Sequence, residues 1–170
     1  REEVKVGRYR ELFETIGVER DPEEATAYYE NMLGVGHYFI PGAPELLEEL
    51  HGKYRLYIVS NGTAKVQERR ISSSGIAKYM DGIFISLGVN KPDREFFDIC
   101  FAKIPDFSRA ETVIVGDSLS SDIKGGINAD IATVWFNPKG IPNDGGIKPD
   151  FTVKTLSEIP AVLRQISAKM

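Results

Sequence analysis

Two aspartates, Asp117 and Asp122, are the acidic pair in this sequence whose spacing could support chemistry. Asp117 is the second residue after the apolar run 113–115, and Asp122 lies five residues further on, at a predicted helix start. Two carboxylates facing one crevice repel each other unless a cation lies beside them. Hard oxygen ligands with no His or Cys nearby indicate Mg²⁺. Alternatively, Asp122 only caps the helix beginning at Ile123. The residues alone leave both interpretations open.

A second polar group, the turn Ser60-Asn61-Gly62-Thr63, follows the apolar run 56–59. The turn offers a hydroxyl, an amide and backbone N–H groups where a strand leads into a helix, and the amino end of a helix favours an anion. Considered by itself, it is better explained as an ordinary polar turn.

A single lysine, Lys91, stands in a comparable place after the run 83–85. Pro92 follows it and fixes the backbone ahead of a helix starting at Asp93. An ammonium held there could neutralise a phosphoryl oxygen. Considered by itself, Lys91 is better explained as a surface lysine.

The elements that must position these residues alternate between short apolar runs and helical patterns. The runs are 56–59, 83–85, 113–115, 132–136 and 151–153, and the helical patterns are 43–52, 64–74, 93–103, 120–128 and 156–168. This alternation is typical of βαβ units on a parallel sheet, in which ligands bind beyond the carboxyl ends of the strands. The sequence therefore predicts an α/β fold with all three polar groups at one edge. The Pro-, Gly- and Asn-rich stretch 137–149 is predicted to be a loop.

Residues 1–37 follow a different pattern and are predicted to form two helices. Apolar residues recur there at three- and four-residue spacing up to a stop at Gly17, and a second helix begins at Asp21-Pro22 and ends near Gly34. These helices carry aromatic residues, and an aromatic-bearing helix pair is more typical of a packing surface than of a ligand site.

The three polar groups, in this order and each after a strand, resemble the second, third and fourth motifs of the haloacid dehalogenase (HAD) superfamily over about residues 38–165. The resemblance implies that Ser60 and Asn61 hold the transferring phosphoryl group, with Gly62 in the same turn, and that Lys91 neutralises it. It also implies that Asp117 binds Mg²⁺ and that Asp122 supports that site. Phosphatase members of the family usually carry Gly-Asp-Ser in the fourth motif, so the resemblance at Gly116-Asp117-Ser118 implies phosphate rather than halide substrates.

Several passages look closest to the pyrimidine 5′-nucleotidase-like branch of the helical-cap subfamily: 41–43, 54–62, 104–108, 116–119 and 122–126. The resemblance implies a remnant of a helical cap at 1–37 and, at 38–170, a Rossmann-like α/β core with helices on both faces of a parallel sheet. The implied activity is Mg²⁺-dependent hydrolysis of a nucleoside monophosphate or similar small phosphate ester through a phosphoaspartate. The alternatives are a sugar-phosphate phosphatase or phosphoglucomutase of the same fold, and a non-catalytic binding module if the chain is complete.

The first motif of the family, Asp-x-Asp on a strand that precedes the cap, does not occur before residue 38. In the family that strand lies between the strands ending at Ser60 and Gly116, so we expect the chain to need it from elsewhere. The loop 86–91 also looks shorter than its counterparts, which suggests that residues are missing from the sequence.

Composition excludes several classes of protein. The 170 residues carry a net charge of −4 with scattered Lys and Arg, which argues against a nucleic-acid polymer as partner. No apolar run approaches the roughly 18 residues that span a bilayer, and no apolar signal core is present, so we expect a cytoplasmic protein without a membrane partner. The single cysteine, Cys100, is expected to be a packed core thiol. No pattern predicts an oligomeric state.

Overall fold

The computed structural model describes residues 2–85 and 88–168 and contains seven α-helices and five β-strands in these ranges. The helices are α1 Glu2–Ile16, α2 Pro22–Val35, α3 Ala43–Leu50, α4 Ala64–Ser74, α5 Arg94–Phe101, α6 Lys124–Asn128 and α7 Ile159–Ser167. The strands are β1 Tyr57–Ser60, β2 Gly82–Ile85, β3 Val113–Gly116, β4 Ala132–Phe136 and β5 Phe151–Val153. A π-helical turn, Leu119–Ile123, leads into α6, and 3₁₀ turns occupy Ile76–Tyr79 and Leu156–Glu158.

The strands form two parallel sheets. One pairs β1 with β2, and the other has the order β3-β4-β5. Helix α4 connects β1 to β2 and α6 connects β3 to β4, which are the predicted βαβ units. The predicted α/β class with parallel strands is thus confirmed.

Strands β1 and β3 are not hydrogen-bonded to each other in the part of the chain that the structure describes. Val115 of β3 is 40% exposed, although it belongs to an apolar strand. The predicted additional strand between them stays a prediction. The proposal that the loop 86–91 is shortened concerns Ser86 and Leu87, which lie outside the described residues.

Local signals place the start of α2 and the end of α4 where the sequence predicts them, whereas α5, α6 and α7 are shorter than predicted. The Asp21 side chain accepts a hydrogen bond from the Glu23 N–H at 2.8 Å, and Pro22 occupies the first helical turn of α2. Helix α4 ends at Ser74 and is capped by Gly75, which adopts a left-handed conformation with φ of 72°. Across the described helices, none is both long and apolar enough to cross a membrane.

Two hydrophobic clusters stabilise the sheets. The first joins β4 and β5 to α7 through Val134, Phe136, Val153, Val162, Leu163 and Ile166. The second packs Phe96, Phe97 and Cys100 of α5 with Phe84 and Ile114. Cys100 is only 2% exposed, and burial raises the pKa of its thiol to about 11. It is therefore the predicted core thiol, and it is protonated at neutral pH.

The chain divides into two compact units, Arg1–Tyr38 with Thr63–Ala77, and Phe39–Gly62 with Lys78–Met170. In the first unit, the Arg69 Nη1 of α4 donates a hydrogen bond of 2.7 Å to the Asn31 side chain of α2. The Arg69 stem also lies against the buried Gly34. Helix α4 thus packs against α2, which in turn packs against α1, and the sequence did not indicate this arrangement. The cap boundary at residue 37 stays a prediction.

Candidate active site

Lys91 is a buried cation at the carboxyl end of the strands. It lies between β2 and α5, and its Nζ donates hydrogen bonds to the Val59 carbonyl at 2.9 Å and to Asp122 Oδ1 at 2.6 Å. The side chains of Lys91 and Asp122 are only 8% and 11% exposed. The interpretation of Lys91 as a surface lysine is therefore wrong. Because a buried charge is costly without a partner, the two groups depend on each other.

Asn61 holds the main chain of Lys91. Its Nδ2 donates to the Lys91 carbonyl at 2.8 Å, and its Oδ1 accepts the Lys91 N–H at 2.9 Å. The same Nδ2 lies 3.3 Å from Ser121 Oγ. One side-chain amide thus joins the β1 turn, the Lys91 segment and the π-helical turn. The phosphate-binding role of Asn61 stays a prediction. The structure shows in addition that its side chain positions the main chain of Lys91.

Asp122 is linked to the turn that contains Asp117. Its Oδ2 accepts the Ser118 N–H at 3.1 Å, while Ser118 Oγ accepts the Ser121 N–H at 3.1 Å. Ser118 is therefore the residue that caps the π-helical turn. The alternative in which Asp122 merely caps a helix at Ile123 is wrong, because Asp122 lies inside the turn and binds Lys91 instead.

Ser60 and Gly62 form a tight turn at the end of β1, with Ser60 Oγ accepting the Gly62 N–H at 3.1 Å. Asp117 directly follows the end of β3 and is exposed. Its backbone carbonyl accepts a hydrogen bond from the indole N–H of Trp135 at 3.0 Å. Neither Trp135 nor Ser121 is predicted from the sequence, because Trp135 lies within an apolar run and Ser121 is one of three serines between Asp117 and Asp122.

Comparison with known proteins identifies the family. The sequence model described as "Haloacid dehalogenase-like hydrolase" matches residues 5–136. The chain is also 38% identical over 165 residues to HAD-hydrolase YfnB of Bacillus subtilis, covering 96% of this chain and 70% of YfnB.

This chain belongs to the haloacid dehalogenase-like hydrolases.

Other relatives with curated names include two pyrimidine 5′-nucleotidases. PynA of Streptococcus pneumoniae is 33% identical and matches 94% of this chain and 68% of its own length. YjjG of Escherichia coli is 32% identical and matches 95% of this chain and 72% of its own length. The predicted membership of the HAD superfamily, near its 5′-nucleotidase-like branch, is thus confirmed, as is the prediction of a hydrolytic enzyme.

The fold agrees with solved HAD structures. The crystal structure of YfnB bound to magnesium superposes with a TM-score of 0.91 and covers 96% of this chain and 72% of that one. A HAD phosphatase from Thermococcus onnurineus, 25% identical, gives a TM-score of 0.68 and covers 91% and 70%. The predicted Rossmann-like HAD core is therefore confirmed.

The residues of this HAD site fit part of a Mg²⁺ site. In the described ranges, no three His, Cys, Asp or Glu side chains gather as a metal-binding group. Mg²⁺ does not require such a group, because it commonly keeps several waters and binds one or two protein carboxylates together with substrate phosphate. The exposed carboxylate of Asp117 meets that requirement. Asp122, whose oxygens bind Lys91 and the Ser118 N–H, suits a supporting role.

Gly116 of the HAD fourth motif has a steric role. A Cβ built on Gly116 would overlap the Cβ, the Cγ and one carboxylate oxygen of Asp122. We expect Gly116→Ala to displace Asp122 from Lys91 and to lower the free energy of unfolding by about 1–3 kcal/mol, the usual range for overpacking. Chemical denaturation measures this.

Gly145→Ala is the matched control for Gly116→Ala. A Cβ on Gly145 meets no atom within 4 Å, and its backbone requires no left-handed conformation. We expect this variant to change stability by less than about 0.5 kcal/mol. Equal stability of the two variants would show that the Asp122 side chain can accommodate a methyl group on Gly116.

Proposed function

We propose that the protein is a Mg²⁺-dependent phosphomonoester hydrolase that acts on a nucleoside monophosphate or a similar small phosphate ester. The observation that carries the proposal is the buried Lys91, whose ammonium binds Asp122 and the Val59 carbonyl while Asn61 clamps its main chain. Such a preorganised cation at the carboxyl ends of parallel strands suits the stabilisation of a phosphoryl group in transfer.

The residues of this chain divide the work of binding and orienting the phosphoryl group. Ser60 and Gly62 contribute the turn at the end of β1. Lys91 contributes a positive charge that is held in place by hydrogen bonds to the Val59 carbonyl and to Asp122. Asp117 supplies a carboxylate for Mg²⁺, and the ion, when bound, neutralises phosphate charge. The phosphoaspartate in this proposal forms on the aspartate of the family's first motif, Asp-x-Asp, which does not occur in residues 1–170.

The proposed substrate class rests on the relatives. PynA and YjjG are named pyrimidine 5′-nucleotidases, and each matches more than nine-tenths of this chain. The partner proposed for this chain is accordingly a small phosphorylated metabolite, with neither a nucleic-acid polymer nor a membrane as a further partner. The cytoplasmic location stays a prediction.

A sugar-phosphate phosphatase is the second candidate, and two further relatives favour it. Human N-acylneuraminate-9-phosphatase is 33% identical over 129 residues, and a glyceraldehyde 3-phosphate phosphatase of Pyrococcus abyssi is 35% identical over 100 residues. Both match a smaller share of this chain than the nucleotidases do.

Phosphate release from a panel of phosphate esters tests the proposal in the full-length protein. We expect turnover of pyrimidine nucleoside monophosphates in Mg²⁺ and its loss in EDTA. Preferential turnover of sugar phosphates would favour the second candidate. A folded full-length protein without Mg²⁺-dependent turnover of any ester would contradict both candidates and favour a binding module.

Asp117→Asn tests the metal ligand. Loss of this carboxylate should lower turnover about a hundredfold or more, because a metal ion contributes several kcal/mol of charge stabilisation. The control is Asp144→Asn, the same chemical change in the exposed loop after β4, which should leave turnover unchanged. An unaltered Mg²⁺ titration in Asp117→Asn would exclude its role as a ligand.

A further inference from the structure

Trp135 is the single tryptophan of the sequence and lies beside the fourth motif. It is on β4, directly opposite Gly116 of β3 in the parallel register, and it is only 6% exposed. Its Nε1–H donates a hydrogen bond of 3.0 Å to the backbone carbonyl of Asp117. The indole thus contacts the main chain of the proposed Mg²⁺ ligand.

The peptide group between Asp117 and Ser118 is held at both of its polar atoms. Trp135 binds the carbonyl oxygen, and Asp122 Oδ2 accepts the N–H at 3.1 Å. Because a peptide group is planar and rigid, hydrogen bonds at both atoms restrict the orientation of the whole unit. The Cα of Asp117 belongs to that plane, so the position from which its carboxylate extends is restricted as well.

We propose that Trp135 is a positioning residue for Mg²⁺: its indole N–H holds the Asp117 carbonyl and thereby orients the Asp117 carboxylate toward the metal. This inference rests on the Mg²⁺ site proposed above. Groups that orient metal ligands commonly change metal affinity by one to two orders of magnitude when they are removed. A buried indole N–H also needs a partner for stability alone, so the test must separate orientation from packing.

Trp135→Phe removes the N–H and keeps an aromatic ring on β4. We expect its dissociation constant for Mg²⁺, measured by calorimetry without substrate on the full-length protein, to rise roughly tenfold. In turnover assays the Mg²⁺ concentration for half-maximal rate should rise by the same factor. The KM for the phosphate ester at saturating Mg²⁺ should stay close to that of the wild type.

Phe136→Leu is the matched control, because Phe136 is the next residue of β4 and packs in the cluster with α7. This variant should lose thermal stability without a change in Mg²⁺ affinity. A similar loss of affinity in both variants would mean that Trp135 acts only through packing and would overturn the inference. Unchanged affinity in Trp135→Phe would also overturn it.

The indole N–H of the wild-type protein provides a second readout that does not depend on the folding of a variant. With ¹⁵N-labelled tryptophan, the Trp135 indole resonance should shift during Mg²⁺ titration with the calorimetric dissociation constant. No shift at saturating Mg²⁺ would overturn the inference and leave the proposed metal site intact. Absence of Mg²⁺ binding to the wild type would overturn the metal site and the inference together.

Discussion

Lys91→Ala is expected to lower kcat of the full-length protein by about 10²- to 10³-fold. Loss of one preorganised donor to developing negative charge typically costs roughly 3–4 kcal/mol of transition-state stabilisation. In the proposed function Lys91 is such a donor, and it is preorganised because two hydrogen bonds hold its ammonium and Asn61 holds its main chain. Steady-state phosphate release at saturating Mg²⁺ measures the effect.

Two measurements keep the Lys91→Ala result interpretable. Lys103→Ala removes an exposed lysine just beyond α5 and should retain wild-type kcat. Circular dichroism of Lys91→Ala must show folded protein at the assay temperature, since the variant leaves Asp122 without its cation. A folded Lys91→Ala protein that retains most of its kcat would refute the assigned role.

Asp122→Ala is expected to lower the free energy of unfolding by about 3–5 kcal/mol. Removing one partner of a buried ion pair leaves the other charge buried and uncompensated, and this effect exceeds the loss of the pair itself. The pair here is 2.6 Å long and nearly inaccessible to water. Urea denaturation followed by circular dichroism gives the difference.

The exposed ion pair between Arg94 and Asp130 is the control for Asp122→Ala. Its side chains are 51% and 66% exposed, so Asp130→Ala should cost at most about 1 kcal/mol. The double variant Lys91→Met with Asp122→Leu should regain much of the stability lost in Asp122→Ala while remaining inactive, because apolar residues can replace a buried pair at little cost. If Asp122→Ala and Asp130→Ala lowered the free energy of unfolding equally, burial would not make the Lys91–Asp122 pair more important for stability than an exposed pair.

Lys91→Ala and Asp122→Ala each remove one partner of the same buried ion pair, and the first is measured by activity and the second by stability. A buried Lys–Asp pair is weak evidence for stability, because desolvation offsets much of its attraction. Its position beside Asn61 and the Asp117 turn instead supports the role that we propose for it in function. We therefore expect variants of this pair to separate activity from stability.

The elements of the fold follow closely from the sequence because their signals are local. The capping acid and proline at 21–22 start α2, and the apolar runs 132–136 and 151–153 coincide with β4 and β5. Strand β1 is displaced by one residue toward Ser60, which places that residue inside the strand. Ser60 still ends the strand, as the predicted site requires.

The sequence left open whether Lys91 is a surface lysine and whether Asp122 is a helix cap, and contacts between distant residues decide both questions. The turn at 60–63 and Lys91 each looked ordinary by themselves, and Asp122 could have been a cap. Lys91 and Asp122 lie 31 residues apart, and Asn61 and Lys91 lie 30 apart. No local propensity encodes such a contact, since it exists only after β1, β2 and β3 have been brought together.

The sequence by itself determined the order of strands and helices, the HAD family and the residue types at the site, because motif order and apolar periodicity are properties of neighbouring residues. Only the tertiary structure decided that Lys91 is buried against Asp122, that Asn61 holds the Lys91 main chain, and that α4 packs against α2. Trp135 is the clearest case, because its hydrogen bond to the Asp117 carbonyl depends on the register of β3 against β4. That register is set by packing and hydrogen bonding between strands, which no single segment specifies.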